Sequence, residues 1–182
     1  MNSAEFNPIA PADIFFGNSG VSVRKQEARH AEVVFKKVQS QKERLQEFLS
    51  WPIHINTLED QLNFSLKTDI QWAAGHAYHF QIFKDETFAG AISIHSLNYQ
   101  NRSFEFGYWV DSEYEGKGLV QESLLLLIKA MAARGWRQAI IRTNYQNIRS
   151  QNVAQKLGMT LQSQTDHFRI FSATLEGAKL QQ

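Results

Sequence analysis

Two glycines flank a lysine at the mouth of an apolar helical run. Gly116-Lys117-Gly118 follows the aromatic, strand-like GYWV of residues 107–110 and leads directly into Leu119. A helix begins with unpaired backbone N–H groups and a partial positive charge. Glycines there remove side chains and permit unusual backbone angles, so a phosphate can lie directly on the amides. The amides aimed at it would be those of Gly116, Lys117, Gly118, Leu119 and Val120, with Lys117 adding charge. The same stretch also reads as a tight turn with no ligand. Two phosphate patterns are absent. There is no Gly-x-x-x-x-Gly-Lys-Ser/Thr, and Gln121 stands where a dinucleotide fingerprint needs its third glycine.

Other chemistries are bounded by what the chain lacks. It has no cysteine, which excludes disulfides, thiolate metal sites and a cysteine nucleophile. Its six histidines carry no ligand spacing, and His54, His76, His79, His95 and His167 read as surface or pocket-lining groups, so no metal is expected. The formal net charge of +1 gives no broad electrostatic footprint for nucleic acid. The longest apolar run, Leu124–Ile128, is far too short to span a bilayer. The first twenty residues have no basic region followed by a long apolar stretch, so no secretory signal is read, and a cytoplasmic protein without membrane contact is expected.

The elements that must position the glycine loop follow from periodicity. The 182 residues, 43% of them hydrophobic, suit one domain over 21–182, preceded by a tail (1–20) that ends in a short strand at Asp13–Gly17. Val21–Lys25 alternates as a strand. From Gln26 to Trp51 the pattern is helical, with a break near Gln39–Gln41 and a stop at Pro52. Thr57 and Asp60 form a capping-box signature, followed by Leu58, Leu62, Leu66 and Ile70 at every fourth residue of a helix. An antiparallel meander comes next: a strand through Tyr78, Phe80 and Ile82, a hairpin turn at KDET, then strands Phe88–Leu97 and Ser103–Val110. A helix over Leu119–Arg134 buries Leu124, Leu127, Ile128 and Met131. Strand Ala139–Thr143, a short helix over Ser150–Leu157 closed by Gly158, and strands Met159–Gln162 and Phe168–Leu175 complete the chain. Ser150 is a good N-cap for that short helix, and Asn147 a good turn residue.

GYWV, its acidic and aromatic spacer, and GKGL resemble motif A of the GNAT N-acetyltransferases, in the RimJ/RimL-type (ribosomal-protein-serine acetyltransferase-like) form. The spacing Asn147-x-x-Ser150-x-x-Val153-Ala154-x-Lys156-x-Gly158 is close to that branch's second signature. The RLQEFLSWP of residues 44–52 resembles its N-terminal helix end. The pieces are in the expected order and cover most of the chain from Val21 to Gly158. Two residues depart from the pattern. Glu115 stands where Gln or Arg is commoner, and its side chain is expected to turn to solvent. Met159 replaces a usual Phe.

The resemblance implies an α/β (α+β) fold with a mixed, mostly antiparallel central sheet, helices on both faces and splayed central strands. It implies acetyl-coenzyme A as acetyl donor, its pyrophosphate on the Gly116–Val120 amides and its pantetheine arm added like a strand to backbone groups of Tyr108, Trp109 and Val110. The side chains of Tyr108 and Trp109 also read as core packing. Ser150 corresponds to a serine near the thioester sulfur, able to donate a hydrogen bond to the thiolate as it leaves. Asn147 would fix the pantetheine arm or its loop. Trp51 borders the acceptor cleft in the resembling family and reads either as a stacking surface for substrate or as packing. Acetyl transfer needs a neutral amine, a polarised thioester and a proton for the thiolate. Glu105 shares a strand face with Gly107 and Trp109. It reads either as a base, directly or through water, or as a solvated strand residue.

The expected reaction is direct attack by a primary amine, with the N-terminal amine of a protein, such as a ribosomal protein, as the first candidate acceptor. The rival acceptors are small amines such as a polyamine, an amino acid derivative or an aminoacylated toxin. The rival from another class is a catalytically silent coenzyme A-binding regulatory module. A homodimer fits the branch by resemblance.

Overall fold

The computed structural model describes residues 6–18 and 20–175. Residues 1–5 and 19 of the expected tail, and 176–182 at the end of the expected domain, lie outside the described residues. One eight-stranded sheet runs through the molecule in the order β1-β2-β3-β4-β5-β6-β8-β7. Its strands are β1 (Ile14–Phe16), β2 (Val21–Lys25), β3 (Tyr78–Lys84), β4 (Thr87–Asn98), β5 (Ser103–Val110), β6 (Gln138–Asn144), β7 (Thr160–Gln164) and β8 (Phe168–Thr174). Every pairing is antiparallel except β5 with β6. The β3–β4 turn takes two residues, Asp85 and Glu86, both at left-handed φ (46° and 63°), the geometry that matches strand twist in a tight hairpin.

The helices are α1 (Ala31–Ser40), α2 (Lys42–Gln46), α3 (Leu58–Ala73), α4 (Leu119–Ala132) and α5 (Ile148–Lys156). The expected break near Gln39–Gln41 falls between α1 and α2. Pro52 is not what ends α2. That helix stops at Gln46, and Pro52 lies in a separate 3-10 turn, Trp51–His54. Helix α4 packs as its pattern requires: Leu124, Leu127, Ile128 and Met131 are fully buried against Phe80, Ile82, Phe104 and Ile141. On the other side of the sheet, Val34 and Val38 of α1 and Leu45 of α2 form a smaller cluster with Phe83, Phe88 and Trp109.

Helix α3 begins where expected, with both capping-box bonds made by Thr57 and Asp60. Its apolar stripe, however, faces outward: Leu66 is 57% and Ile70 71% exposed, and Leu58 and Leu62 are also exposed. The buried side is Gln61, Ser65, Thr68 and Trp72. Buried polar groups need partners, and Gln26 at the end of β2 supplies them, donating to Ser65 Oγ (3.4 Å) and Thr68 Oγ1 (3.3 Å).

Candidate active site

The parallel pair β5/β6 sets the site. Pairing runs from Ser103↔Gln138 to Phe106↔Ile141 and stops, although β5 continues to Val110 and β6 to Asn144. The strands part at Gly107, leaving a fork. A cavity of about 510 Å³ opens along it. Its walls come from β5 (Tyr108, Trp109, Val110), from the start of α4 (Gly116, Gly118, Leu119, Val120) and from α5 (Asn147, Ser150). These nine sequence-predicted residues, spread over 43 positions, thus meet in one place. Lys117 does not line the cavity; its Nζ lies 5.4 Å over the Tyr114 ring.

Both glycines of the loop are at left-handed φ, 72° for Gly116 and 79° for Gly118, the latter being the residue immediately before α4. A Cβ at either would meet nothing within 4 Å. The backbone angle therefore requires glycine, and open space lies in front of the first amides of a fourteen-residue helix.

On α5, the residue that caps the helix is Asn147, not Ser150. The Asn147 side chain accepts from Ser150 N at 3.0 Å. The helix starts two residues earlier than its pattern suggests, at Ile148, which places Ser150 inside the first turn and frees its hydroxyl. That hydroxyl lies 2.7 Å from the Tyr108 hydroxyl. Burial pushes the Tyr108 phenol up to about 12, with the Ser150 bond partly offsetting it, so the phenol keeps its proton at neutral pH. The pair forms a short hydroxyl chain able to deliver a proton into the cavity. The Tyr108 hydroxyl was not singled out from sequence, and its only signal there is a tyrosine in the strand before the glycine loop.

Glu115 does not turn to solvent. Its carboxylate, 26% exposed, is bridged by Arg44 from α2 and by Arg149 from α5, the latter at 2.8 Å. Arg44 also donates to the carbonyl of Val110 (2.9 Å). A carboxylate taken partly out of water needs charged partners, and these two close over it from both sides. Among the residues lining the cavity, Arg44, Arg149 and Lys156 outnumber Glu47 and Glu115. Below the loop, buried Asp111 pairs with Lys37 of α1 (2.6 Å) and accepts from Glu113 N (3.0 Å). Burial pushes Asp111 up, but these bonds more than offset it and hold it below the usual carboxylate range.

Glu105 and Trp51 stand apart from the cavity lining. Glu105 lies on the other sheet face with Gly107 and Trp109, 3.5 Å from Arg142 Nε of β6. The Trp51 ring packs on Trp109, centroids 6.2 Å apart. Among the described residues no group of histidines and carboxylates could hold a metal ion, and no helix is long and apolar enough to cross a membrane.

Comparison with known proteins bears on the family and the fold. A ribosomal-protein-serine acetyltransferase from Escherichia coli is 29% identical over 134 residues, 73% of this chain and 75% of that protein. The structure of RimL, a ribosomal L7/L12 alpha-N-protein acetyltransferase in complex with coenzyme A, superposes with a TM-score of 0.86 at 22% identity, covering 91% of this chain and 99% of that one. The microcin self-immunity acetyltransferase MccE, in complex with acetyl-CoA and AMP, gives a TM-score of 0.81 at 21% identity over 86% of this chain and 93% of its own. Residues 21–160 match the model of the acetyltransferase (GNAT) domain. With the forked β5/β6 pair and the glycine-led α4 in place, the chain belongs to the GNAT acetyltransferase family.

Proposed function

We propose that this enzyme transfers the acetyl group of acetyl-coenzyme A to the N-terminal amine of a protein by direct attack, in the cytoplasm. The observation that carries the reading is the fork: where β5 and β6 part, the cavity joins the open amides of α4 to the Tyr108–Ser150 hydroxyl pair. The amides of Gly116, Lys117, Gly118, Leu119 and Val120 take the pyrophosphate, with Arg149 and Lys156 beside it. The freed backbone of Tyr108, Trp109 and Val110 pairs with the pantetheine arm. Asn147 holds the first turn of α5 so that Ser150 faces the sulfur. When the thioester C–S bond breaks, Ser150 donates to the thiolate and Tyr108 re-supplies Ser150. The absence of cysteine removes an acetyl-cysteine intermediate. The E. coli relative, named for ribosomal-protein serine acetylation, and RimL, named for an α-amine acceptor, support a protein N-terminus as acceptor.

The test is release of free thiol from acetyl-coenzyme A with a panel of N-terminal peptides and small amines. Ser-initiated peptides are expected to turn over best. Preference for a polyamine or an amino acid derivative would replace the acceptor class. Thermal stabilisation by acetyl-coenzyme A without turnover on any amine would leave a coenzyme-binding module.

A further inference from the structure

The Glu105 face of β5 carries a row of polar side chains at the vertex of the fork, beside the cavity lining. Antiparallel pairing sets His95 of β4 opposite Glu105, and Ser93 opposite Gly107. Across β4, Ser93 is in turn opposite His79 of β3. Gly107 leaves a gap beneath this row. A Cβ there would lie 2.8 Å from Ser93 Oγ and 3.2 Å from His95 Nε2. The imidazole therefore stands over the residue at which β5 and β6 part.

Its aim is set by an irregularity of the ladder. Between the pairs His95↔Glu105 and Asn98↔Ser103, β4 carries one more residue than β5, and Ser96 is at a left-handed φ of 50°. Bulges of this kind re-aim side chains beside functional sites. The same turn brings Ser96 Oγ to 3.0 Å from His95 Nδ1. With Nδ1 donating to that hydroxyl, Nε2 carries the lone pair and points over Gly107.

We propose that His95 is the catalytic base of this acetyl transfer, taking a proton from the acceptor's ammonium on the Gly107 side of the fork while Glu105 stabilises the imidazolium. The inference rests on the reading of the site given above. One ammonium proton passes to Nε2 and on to solvent, leaving a neutral amine. Its lone pair forms the C–N bond at the thioester carbonyl and the C–S bond breaks. A second proton of that nitrogen balances the one given to the thiolate through Ser150, and the third stays on the amide. The charged groups facing His95 are Glu105 from β5, Arg142 from β6 and, when protonated, His79 from β3. Burial lowers the His95 pKa, Glu105 opposes that shift and Arg142 adds to it, so the ring is neutral at pH 7. Burial, with His95 adding to it, lowers His79 to about 4, so His79 adds no charge there at neutral pH.

The experiment is the pH profile of kcat/KM for His95→Asn and Glu105→Gln with a peptide acceptor, whose amine titrates near ~8. Acetyl-coenzyme A stabilisation and the circular dichroism spectrum, measured on the same samples, verify folding and coenzyme binding. His95→Asn is expected to lose roughly 10²-fold at pH 7. That deficit should shrink as pH rises past the amine's own pKa, since a neutral amine needs no base. Glu105→Gln should lose less and shift the acid limb to lower pH. Three results would overturn the proposal: wild-type kcat/KM in His95→Asn, a deficit constant from acid to alkaline pH, or a pH-rescued deficit carried by Glu105→Gln alone. Failure of the wild-type enzyme on every amine would instead sink the functional reading.

Discussion

The two faces of this sheet are built on different chemistry. On one, α4 sets Leu124, Leu127, Ile128 and Met131 into an apolar core, and its first turn, with the Tyr108–Ser150 hydroxyl pair, lines the cavity. On the other, beside the smaller apolar cluster around Val38 and Trp109, polar side chains meet across strands and helices: His79 with Gln71 of α3 (3.0 Å), His30 with Gln81 (2.7 Å), and Glu105 with Arg142. The apolar side would give a close-packed wall to the cofactor in the proposed site. The polar side supplies groups that can trade protons, and its geometry depends on pairings that single substitutions disturb.

Substitutions on either face can break this contrast. The largest effect is expected at Leu127→Ala in α4, where a fully buried side chain leaves a cavity costing about 2–5 kcal/mol, read from denaturant unfolding. The matched change in α3, Leu66→Ala, should stay within about 0.5 kcal/mol because that residue faces outward. Equal losses at both sites would mean that the outward stripe is covered in solution.

Ser150→Ala should lower kcat by roughly 10²-fold with little change in the KM for acetyl-coenzyme A if the hydroxyl acts, as proposed, on the departing thiolate. An unchanged kcat would remove the hydroxyl pair from the chemistry. Glu115→Gln should tighten acetyl-coenzyme A by about fivefold, because it frees Arg44 and Arg149 for phosphate and removes a carboxylate from the cavity wall. Weaker binding would show instead that Glu115 holds the arginines in place for the cofactor. The smallest effect is expected at Thr57→Ala, which removes one capping-box bond of α3 and should lower Tm by about 2–4 °C.

What the sequence revealed follows the same division. Gly116 and Gly118 were readable because their left-handed backbone demands glycine and the apolar period begins at once after them. The capping box of α3 was readable because its two partners are three residues apart. The direction of that helix was not: a four-residue period defines a stripe, and the partners that hold the other side inward are distant in sequence, Gln26 about forty positions away among them. Glu115 misled for the same reason, since its partners lie 71 and 34 residues away. The Tyr108–Ser150 pair spans 42 residues. The position of His95 depends on a bulge, one extra residue in the ladder, which no local pattern announces.

The polar seam beneath α3 has a thermal consequence. Heat capacity of unfolding comes mainly from apolar surface newly exposed to water. A helix that already shows its leucines to solvent, and whose inner side is Gln61, Ser65 and Thr68 with Trp72 as its one large apolar anchor, adds less to that term when it detaches than a helix with a fully apolar inner face. Its amides should then exchange with solvent through a shallow local opening, well below the global unfolding free energy that protects α4. Through Gln71 and Phe64 on His79, that readily opened helix adjoins the polar face where the acceptor would be received. The enzyme would thus keep its cofactor wall rigid and place its most yielding layer on the side where substrates of different shape arrive.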